Sequence, residues 1–253
     1  MSFTCLTPIF VHGRFVPCGK CGNCTQKRSL EWSFRLKEES KVWRTTSFIT
    51  LTYAPEFEPE NGVQLSDIQK FIKLLRSDGL KFKYYATSEY GPTHTHRPHY
   101  HIMFFHDLMP EKFYEHIENR WSKGIVTIGD ITECRVMYVS NYHITKAYNP
   151  ENKNENFCVM SKGLGASFLS EKKVQYFRDT GHMYVKSYDG FNLPMSRYYK
   201  NKILFSPEQK LANQAFIEKQ SLWDENTAYA LRKKMERIDK IVEKKLKKRK
   251  NIR

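Results

Sequence analysis

Two histidines, His99 and His101, lie two positions apart in the stretch RPHYHIMFF. Side chains at positions i and i+2 of a β-strand point to the same face, so the two imidazoles would project together, away from Tyr100 and Ile102. Two imidazoles on a rigid strand can bind one metal ion. The pattern therefore predicts a metal site, with ordinary half-buried or surface histidines as the alternative.

Glu89 offers a third ligand, because it ends the preceding predicted strand. Only a short polar loop joins that strand to the histidine strand, which favours a hairpin. In a hairpin the Glu89 carboxylate could lie alongside His99 or His101. Two imidazoles and one carboxylate suit Mn²⁺, Mg²⁺ or Zn²⁺ and leave positions open for water or a phosphate oxygen.

A second candidate site is the stretch YVSNYHITK, in which Tyr138, Tyr142 and Lys146 share one face of a predicted helix, one turn apart. A tyrosine hydroxyl can attack a phosphodiester and hold the DNA end as a phosphotyrosine, which conserves the bond energy for rejoining. A lysine one turn away could hold the phosphate or favour the phenolate. Aromatic packing in a core is the alternative for the two tyrosines.

The six cysteines are unevenly distributed. Four fall within the first 24 residues, namely Cys5, Cys18, Cys21 and Cys24. In an intracellular chain this clustering favours a metal over disulfides. Because Arg28 stands where a ferredoxin-type run has its fourth cysteine, an iron–sulfur cluster is disfavoured. We expect a structural Zn²⁺ that staples the N-terminal segment, with Cys5 or His12 as the fourth ligand. Free thiols are the alternative.

Alternating strands and helices must position these residues. The predicted strands cover residues 46–53, 80–91, 98–105 and 124–133, and the predicted helices 25–43, 65–79, 109–121 and 134–148. Thr25 and Ser66 are the expected N-caps of the first two helices, and Gly79 is the expected end of the second. The stretch LPMSRYYKNKI is interpreted as an extended docking segment. Hairpin-like connections favour an α+β fold with a mainly antiparallel sheet.

The charge favours an acidic or phosphate-bearing partner, nucleic acid first. The net charge is +15; residues 231–253 hold twelve Lys/Arg against three Asp/Glu, a net +9, which leaves +6 for residues 1–230. A solvated tail is the alternative for the basic end. No apolar run approaches the ~20 residues of a membrane span, and no secretory pattern opens the chain, so we expect a soluble, intracellular protein without a membrane partner.

The motifs FITLTY, EYGPTHTHRPHYHIMFF and YVSNYHITK follow one another along the chain. In this order they resemble the three motifs of the HUH-type rolling-circle replication initiators, and most of all those of gokushovirus-like microviruses. PCGKCGNC, EWSFRLKEE and MSRYYKNKI also resemble that family, so the resemblance covers most of residues 1–205. It implies the HUH endonuclease fold, a central antiparallel sheet of ferredoxin- or RRM-like layout flanked by helices.

The resemblance also implies a chemistry. His99, His101 and Glu89 would bind a divalent metal, Mn²⁺ or Mg²⁺, and Tyr138 and Tyr142 would nick and rejoin single-stranded DNA at an origin through a 5′-phosphotyrosine. This reaction would start rolling-circle replication of a small single-stranded DNA phage. Similar phage proteins can carry a lysine between the two tyrosines, whereas here that stretch is VSN, so the role of Lys146 stays open.

The implied partners are a single-stranded DNA origin and the host's replication helicase and polymerase, in the cytoplasm of the bacterial host. No P-loop pattern is present that would supply a helicase within the chain. Residues 1–28 would form the cysteine-rich segment, 29–205 the endonuclease domain and 206–253 a helical basic tail. The alternatives are a non-catalytic, zinc-stapled nucleic-acid-binding protein, and a metal hydrolase that cuts DNA without staying attached.

Overall fold

The structure, a computed structural model, describes residues 5–91, 96–129, 150–186, 190, 192–204, 206, 207, 209 and 211. The strands among them are β1 (Ile9–Val11), β2 (Arg14–Val16), β3 (Thr45–Thr52), β4 (Phe82–Tyr90), β5 (Pro98–His106), β6 (Val126–Gly129), β7 (Cys158–Met160), β8 (Tyr184–Lys186) and β9 (Asn192–Pro194). The helices are α1 (Gly22–Ser40), α2 (Leu65–Ser77), α3 (Pro110–Arg120), α4 (Glu171–Thr180) and α5 (Arg197–Ile203).

A five-stranded antiparallel sheet dominates this part of the chain. Its strand order is β6-β3-β5-β4-β7, so β5 lies in the middle between β3 and β4. The predicted hairpin is confirmed, because β4 and β5 pair antiparallel along their whole length. The α+β class and the antiparallel sheet are therefore confirmed, and the pairs β1–β2 and β8–β9 form two further small sheets.

The alternation of side chains along β5 assigns the two faces of the sheet. Tyr100 and Ile102 are fully buried in the cluster that α2 and α3 cover. Met103 and Phe105 are buried on the opposite face, in a cluster that includes Leu36 of α1. Burying each of these side chains contributes roughly 1.5–3 kcal/mol, so a shift of register by one residue is strongly disfavoured.

Helix α1 begins earlier than the sequence predicts. Its N-cap is Cys21 and its first residue is Gly22, whereas Thr25 was the expected cap. The Thr25 hydroxyl donates a hydrogen bond to the Gly22 carbonyl at 2.8 Å, so this side chain already bonds within the first turn. The cysteine-rich turn therefore leads directly into the helix, which continues across the expected domain boundary at residue 28.

Helix α2 also starts before its expected cap. Gln64 rather than Ser66 is the N-cap, and the Asp67 amide donates to the Gln64 carbonyl at 3.3 Å. The expected end is confirmed, since the helix stops at Ser77 and Gly79 adopts a φ of 81°. That left-handed conformation is one that glycine adopts at little cost, which explains why the helix ends here.

The prediction of an extended docking segment at residues 193–203 is wrong for its second half. Residues 197–203 form α5, and Met195, Tyr199 and Ile203 are buried together with residues of α4, β8 and β9. These three residues recur every fourth position, a helical spacing that the sequence analysis did not use. The burial of this apolar face explains why the segment is helical.

Several predictions lie outside the described residues. These are the end of the fourth strand from residue 130, the helix at 134–148 and the tail after residue 211. Within the described part of the chain, no helix is both long and apolar enough to cross a bilayer. The three-part division of the chain stays a prediction.

Candidate functional site

The predicted ligand residues converge at one end of the β4–β5 hairpin. Glu89 and His99 are directly paired across the two strands, and His101 follows on the same side of β5. Glu89 Oε2 lies 3.3 Å from His99 Nε2 and 3.1 Å from His101 Nε2. The expectation that Glu89 lies beside the histidine pair is therefore confirmed as geometry.

Hydrogen bonds at the other ring nitrogens hold both imidazoles in place. His99 Nδ1 lies 3.1 Å from the Arg97 carbonyl oxygen, which can only accept, so Nδ1 carries the proton. His101 Nδ1 lies 3.0 Å from the Thr50 hydroxyl on β3. Such partners orient a metal-binding histidine and leave Nε2 as the ligand atom, and here both Nε2 atoms face Glu89.

The spacing of the three ligand atoms fits a shared cation. They all lie within 4.8 Å of one another, and the two N–O distances are 3.1 and 3.3 Å. Ligands about 2.1 Å from a cation are ~3.0 Å apart at octahedral angles and ~3.4 Å apart at tetrahedral angles. A neutral His99 that donates through Nδ1 presents a lone pair to Glu89, so a cation between them removes the repulsion of two acceptors.

The surroundings of this ligand group combine a rigid wall and an open side. The His101 side chain is 9% exposed, and its ring stacks on Phe48 with centroids 5.6 Å apart. Glu89 and His99 are half-buried, with side chains 13% and 17% exposed. Water or a phosphate oxygen can therefore approach from the side of Glu89 and His99, while His101 is fixed by packing.

Sequence reasoning missed the residues that orient the histidines. Thr50 and Phe48 belong to the motif FITLTY, but their neighbours depend on the register of β3 against β5, which pairs Thr50 with His101. Arg97 contributes only a backbone oxygen to His99, and the side chain of Arg97 donates to the Tyr53 carbonyl at 2.6 Å. The alternation of β3 was the available signal for Thr50, since it assigns the threonines to one face.

The proposed nucleophiles lie outside the described residues. Tyr138, Tyr142 and Lys146 all fall within residues 130–149, so their distance from Glu89, His99 and His101 is not part of the structure. Their roles stay predictions that come from the sequence.

The N-terminal cysteines converge in a second group. The sulfur atoms of Cys5, Cys18, Cys21 and Cys24 all lie within 4.8 Å of one another, and Cys5 Sγ is 3.8 Å from Cys21 Sγ. All four are free thiols. The sequence left Cys5 and His12 as alternative fourth members, and Cys5 occupies that position here.

Hydrogen-bond donors surround the sulfur atoms of this group. The Cys18 amide donates to Cys5 Sγ at 3.2 Å, and the amides of Lys20 and Cys21 donate to Cys18 Sγ at 3.4 and 3.3 Å. The Thr7 hydroxyl donates to Cys18 Sγ at 3.2 Å. The Thr7 hydroxyl first, and then the two amides, lower the pKa of Cys18 to about 5. The backbone is therefore arranged for thiolates, the form that binds metals.

Comparison with known families identifies the region that carries the first site. Residues 46–148 match the family model of the replication-associated protein ORF2. The matched range begins in β3 and includes the three ligand residues and both tyrosines of the sequence motif. No solved structure matches the chain.

Curated proteins of viruses and phages are similar over a longer stretch. The chain is 32% identical to the replication-associated protein ORF2 of Spiroplasma virus 4 over 192 residues, which cover 65% of this chain and 60% of the relative. It is 26% identical to the replication-associated protein VP4 of Bdellovibrio phage phiMH2K over 209 residues, 73% of this chain and 66% of the relative. The matched part thus spans about two thirds of these relatives or less.

Proposed function

We propose that this chain, which through its residues 46–148 belongs to the family of the replication-associated protein ORF2, nicks and rejoins single-stranded DNA at a replication origin. The observation that carries this proposal is the convergence of His99 Nε2 and His101 Nε2 on Glu89 Oε2. The histidine strand lies in the middle of an antiparallel sheet with helices, an arrangement that supports the HUH endonuclease fold as part of the proposal.

Glu89, His99 and His101 would hold one divalent cation, Mn²⁺ or Mg²⁺. Bound there, the cation would withdraw negative charge from a non-bridging oxygen of the scissile phosphate. The protein's own contribution is to fix the ligand atoms in advance, through Thr50 at His101 and the Arg97 carbonyl at His99. A site that is already oriented loses little entropy when the phosphate binds.

The proposed nucleophile is the phenol of Tyr138 or Tyr142. Its oxygen forms a bond to phosphorus, the bond from phosphorus to the 3′ oxygen breaks, and that oxygen takes up a proton. The products are a 5′-phosphotyrosine and a free 3′-OH, which can prime a host polymerase. Attack by the 3′-OH reverses the reaction, and two tyrosines would allow successive events to alternate. Lys146 would hold the phosphate or favour the phenolate.

The proposed setting is the cytoplasm of a bacterial host, where the protein would start rolling-circle replication of a small single-stranded DNA phage. The host would supply the replication helicase and polymerase. The net charge of +15 supports a nucleic-acid partner, because lysine and arginine at phosphates release counterions. The basic tail within residues 206–253 would add contacts to DNA that do not depend on its sequence.

We also propose that Cys5, Cys18, Cys21 and Cys24 bind a structural Zn²⁺. Four sulfurs at about 2.3 Å from a tetrahedral zinc are ~3.8 Å apart, which is the Cys5–Cys21 distance of 3.8 Å. An iron–sulfur cluster would bind each sulfur to a different iron and spread the four further apart. The donors at Cys18 Sγ and Cys5 Sγ support thiolates.

The proposed zinc explains how the small β1–β2 hairpin is held. The hairpin lies between Cys5 and Cys18, and its facing residues Phe10 and Phe15 are 64% and 63% exposed. An isolated two-stranded hairpin is marginally stable, and these exposed rings provide no core. A metal that links Cys5 and Cys18 to the start of α1 would supply the missing stability.

A non-catalytic, zinc-stapled nucleic-acid-binding protein is the second candidate function. The complete group of four cysteines and the basic charge favour it, and neither feature requires cleavage. In that case the histidine pair would be structural, and binding would be tight and sensitive to salt. A metal hydrolase would cut DNA but would remain unattached to it.

One experiment separates these functions. The purified protein is incubated with an end-labelled, single-stranded origin oligonucleotide and Mn²⁺, and the products are resolved on a denaturing gel. The proposal predicts a labelled adduct that a protease removes, together with a fragment that ends in 3′-OH. Cleavage without an adduct would indicate a hydrolase, and binding without cleavage under any divalent metal would indicate the second candidate.

A further inference from the structure

A cleft of about 760 Å³ lies on the side of α1 away from the sheet. Trp32 and Leu36 of α1 pack with residues of the central sheet, whereas Phe34 packs with residues of α4 and α5. Phe34, Glu38 and Lys41 recur at helical spacing and form one wall of the cleft. The other walls come from α4, β8, β9 and the turn before α4.

Aromatic rings line this cleft and remain open to water. Tyr176 of α4 is 53% exposed and Tyr184 of β8 is 47% exposed. Phe34 and Phe168 are half-buried beside them and meet edge to face, with centroids 5.0 Å apart and planes at 85°. Folding alone does not reward leaving two large rings half in water on one cleft, so their shared position indicates a ligand with flat surfaces.

Positive charge surrounds the same rings. Lys41, Lys173 and Lys186 line the cleft together with a single carboxylate, that of Glu38. Lys41 forms an ion pair with Glu38, and the Lys173 ammonium lies 4.1 Å from the centre of the Phe168 ring. The lining therefore carries a net charge of two positive units, and its cations lie next to aromatic surface. This combination suits a chain of bases linked by phosphates.

We propose that this cleft binds a short stretch of single-stranded DNA, with bases stacked on Tyr176 and Tyr184 and phosphates on Lys173 and Lys186. The inference rests on the proposed function, since it assigns a second contact region to the DNA that the histidine site would cut. Every base has a flat face, so stacking here would not depend on sequence. The cleft would hold the strand while the origin sequence is read elsewhere.

Two double variants test the cleft in the full-length protein. Tyr176→Ala/Tyr184→Ala removes the exposed rings, and Lys173→Gln/Lys186→Gln removes the charges. The probe is a fluorescein-labelled oligothymidylate of about 20 nucleotides, and its anisotropy gives the dissociation constant at several salt concentrations. Circular dichroism and thermal unfolding establish that each variant is folded.

The tyrosine variant is expected to bind about 5- to 30-fold more weakly, from the loss of one or two stacked bases. The lysine variant is expected to lower the slope of log K against log salt by about 1.4, since each phosphate contact on a single strand contributes about 0.7. The controls are Phe57→Ala, at a ring that is 50% exposed, and Lys70→Gln/Lys73→Gln on α2. Both controls should bind as the wild type does.

Unchanged binding in the tyrosine variant, or an equal loss in the controls, would overturn the inference. So would competition for the cleft by an unlabelled peptide but not by unlabelled single-stranded DNA. The proposed function fails independently, if the wild-type protein forms no covalent adduct with an origin oligonucleotide. Adduct formation by a protein whose tyrosine variant binds normally would refute the cleft alone.

Discussion

Glu89 and His99 are direct partners across β4 and β5, and Glu89 Oε2 lies 3.3 Å from His99 Nε2. The pairing places a carboxylate and an imidazole from two strands on the same side of the sheet. Because His101 follows two residues later, its ring reaches the same oxygen at 3.1 Å. A hairpin register and the alternation of a strand are thus sufficient to assemble the proposed ligand set.

The first prediction concerns the direct ligands. Glu89→Gln or His101→Gln should weaken Mn²⁺ binding by more than about 100-fold, beyond the range found for residues that only orient a ligand. Titration calorimetry on protein with the cysteine site already filled measures this. Glu56→Gln, at an exposed carboxylate in the turn Pro55–Phe57, is the matched control and should bind Mn²⁺ normally. Normal binding by both ligand variants would contradict the proposed site.

The second prediction concerns Thr50, which contacts His101 Nδ1 at 3.0 Å. Thr50→Val keeps the shape but removes the hydroxyl, so Mn²⁺ affinity should fall about 10-fold while the protein stays folded. Thr127→Val on β6 is the control, because Thr127 is the cross-strand partner of Thr50 and is exposed. Equal affinities for the two valine variants would show that Thr50 does not position His101.

The parts of the site that local pattern specifies were predictable, and the others were not. Glu89, His99 and His101 lie on one hairpin, so strand alternation and a short connection were enough to bring them together. Thr50 contacts His101 through the β3–β5 register, which depends on long-range pairing that a sequence pattern does not define. The early start of α1 at Gly22 likewise depends on the geometry of the cysteine turn, and an isolated cap residue does not reveal it.

The third prediction concerns the proposed zinc. Cys21→Ser should lower the zinc content from one ion per chain towards zero, because serine is a poor zinc ligand, and should loosen the β1–β2 hairpin. Elemental analysis and limited proteolysis measure the two effects. Cys158→Ser, in β7 and outside the four-cysteine group, should keep the metal. One zinc per chain in Cys21→Ser would contradict the assignment.

The fourth prediction concerns pH and the buried residue His106. Its Nε2 lies 2.9 Å from Ser47 Oγ and its ring stacks on Phe113, and burial lowers its pKa from 6.5 to about 4. The unfolded chain therefore takes up this proton first as the pH falls. The contribution to stability is complete above pH 6.5 and is lost between about pH 6.5 and 4, with about 2 kcal/mol lost by pH 5.

Urea unfolding at pH 7 and pH 5 measures this loss. His106→Gln should be less stable than the wild type at pH 7 but should lose about 2 kcal/mol less between the two pH values. His182→Gln, at an exposed histidine, should follow the wild type at both. If His106→Gln and the wild type lose the same free energy between pH 7 and 5, His106 is not the group responsible.

The most direct test of the central claim locates the covalent bond. The protein is reacted with an origin oligonucleotide and Mn²⁺, digested with trypsin and nuclease, and analysed by tandem mass spectrometry. A nucleotide should be attached through phosphate to Tyr138 or Tyr142, and the yield should vanish in Glu89→Gln and in Tyr138→Phe/Tyr142→Phe. Attachment at another residue, or an undiminished yield in these variants, would contradict a tyrosine nuclease built on Glu89, His99 and His101.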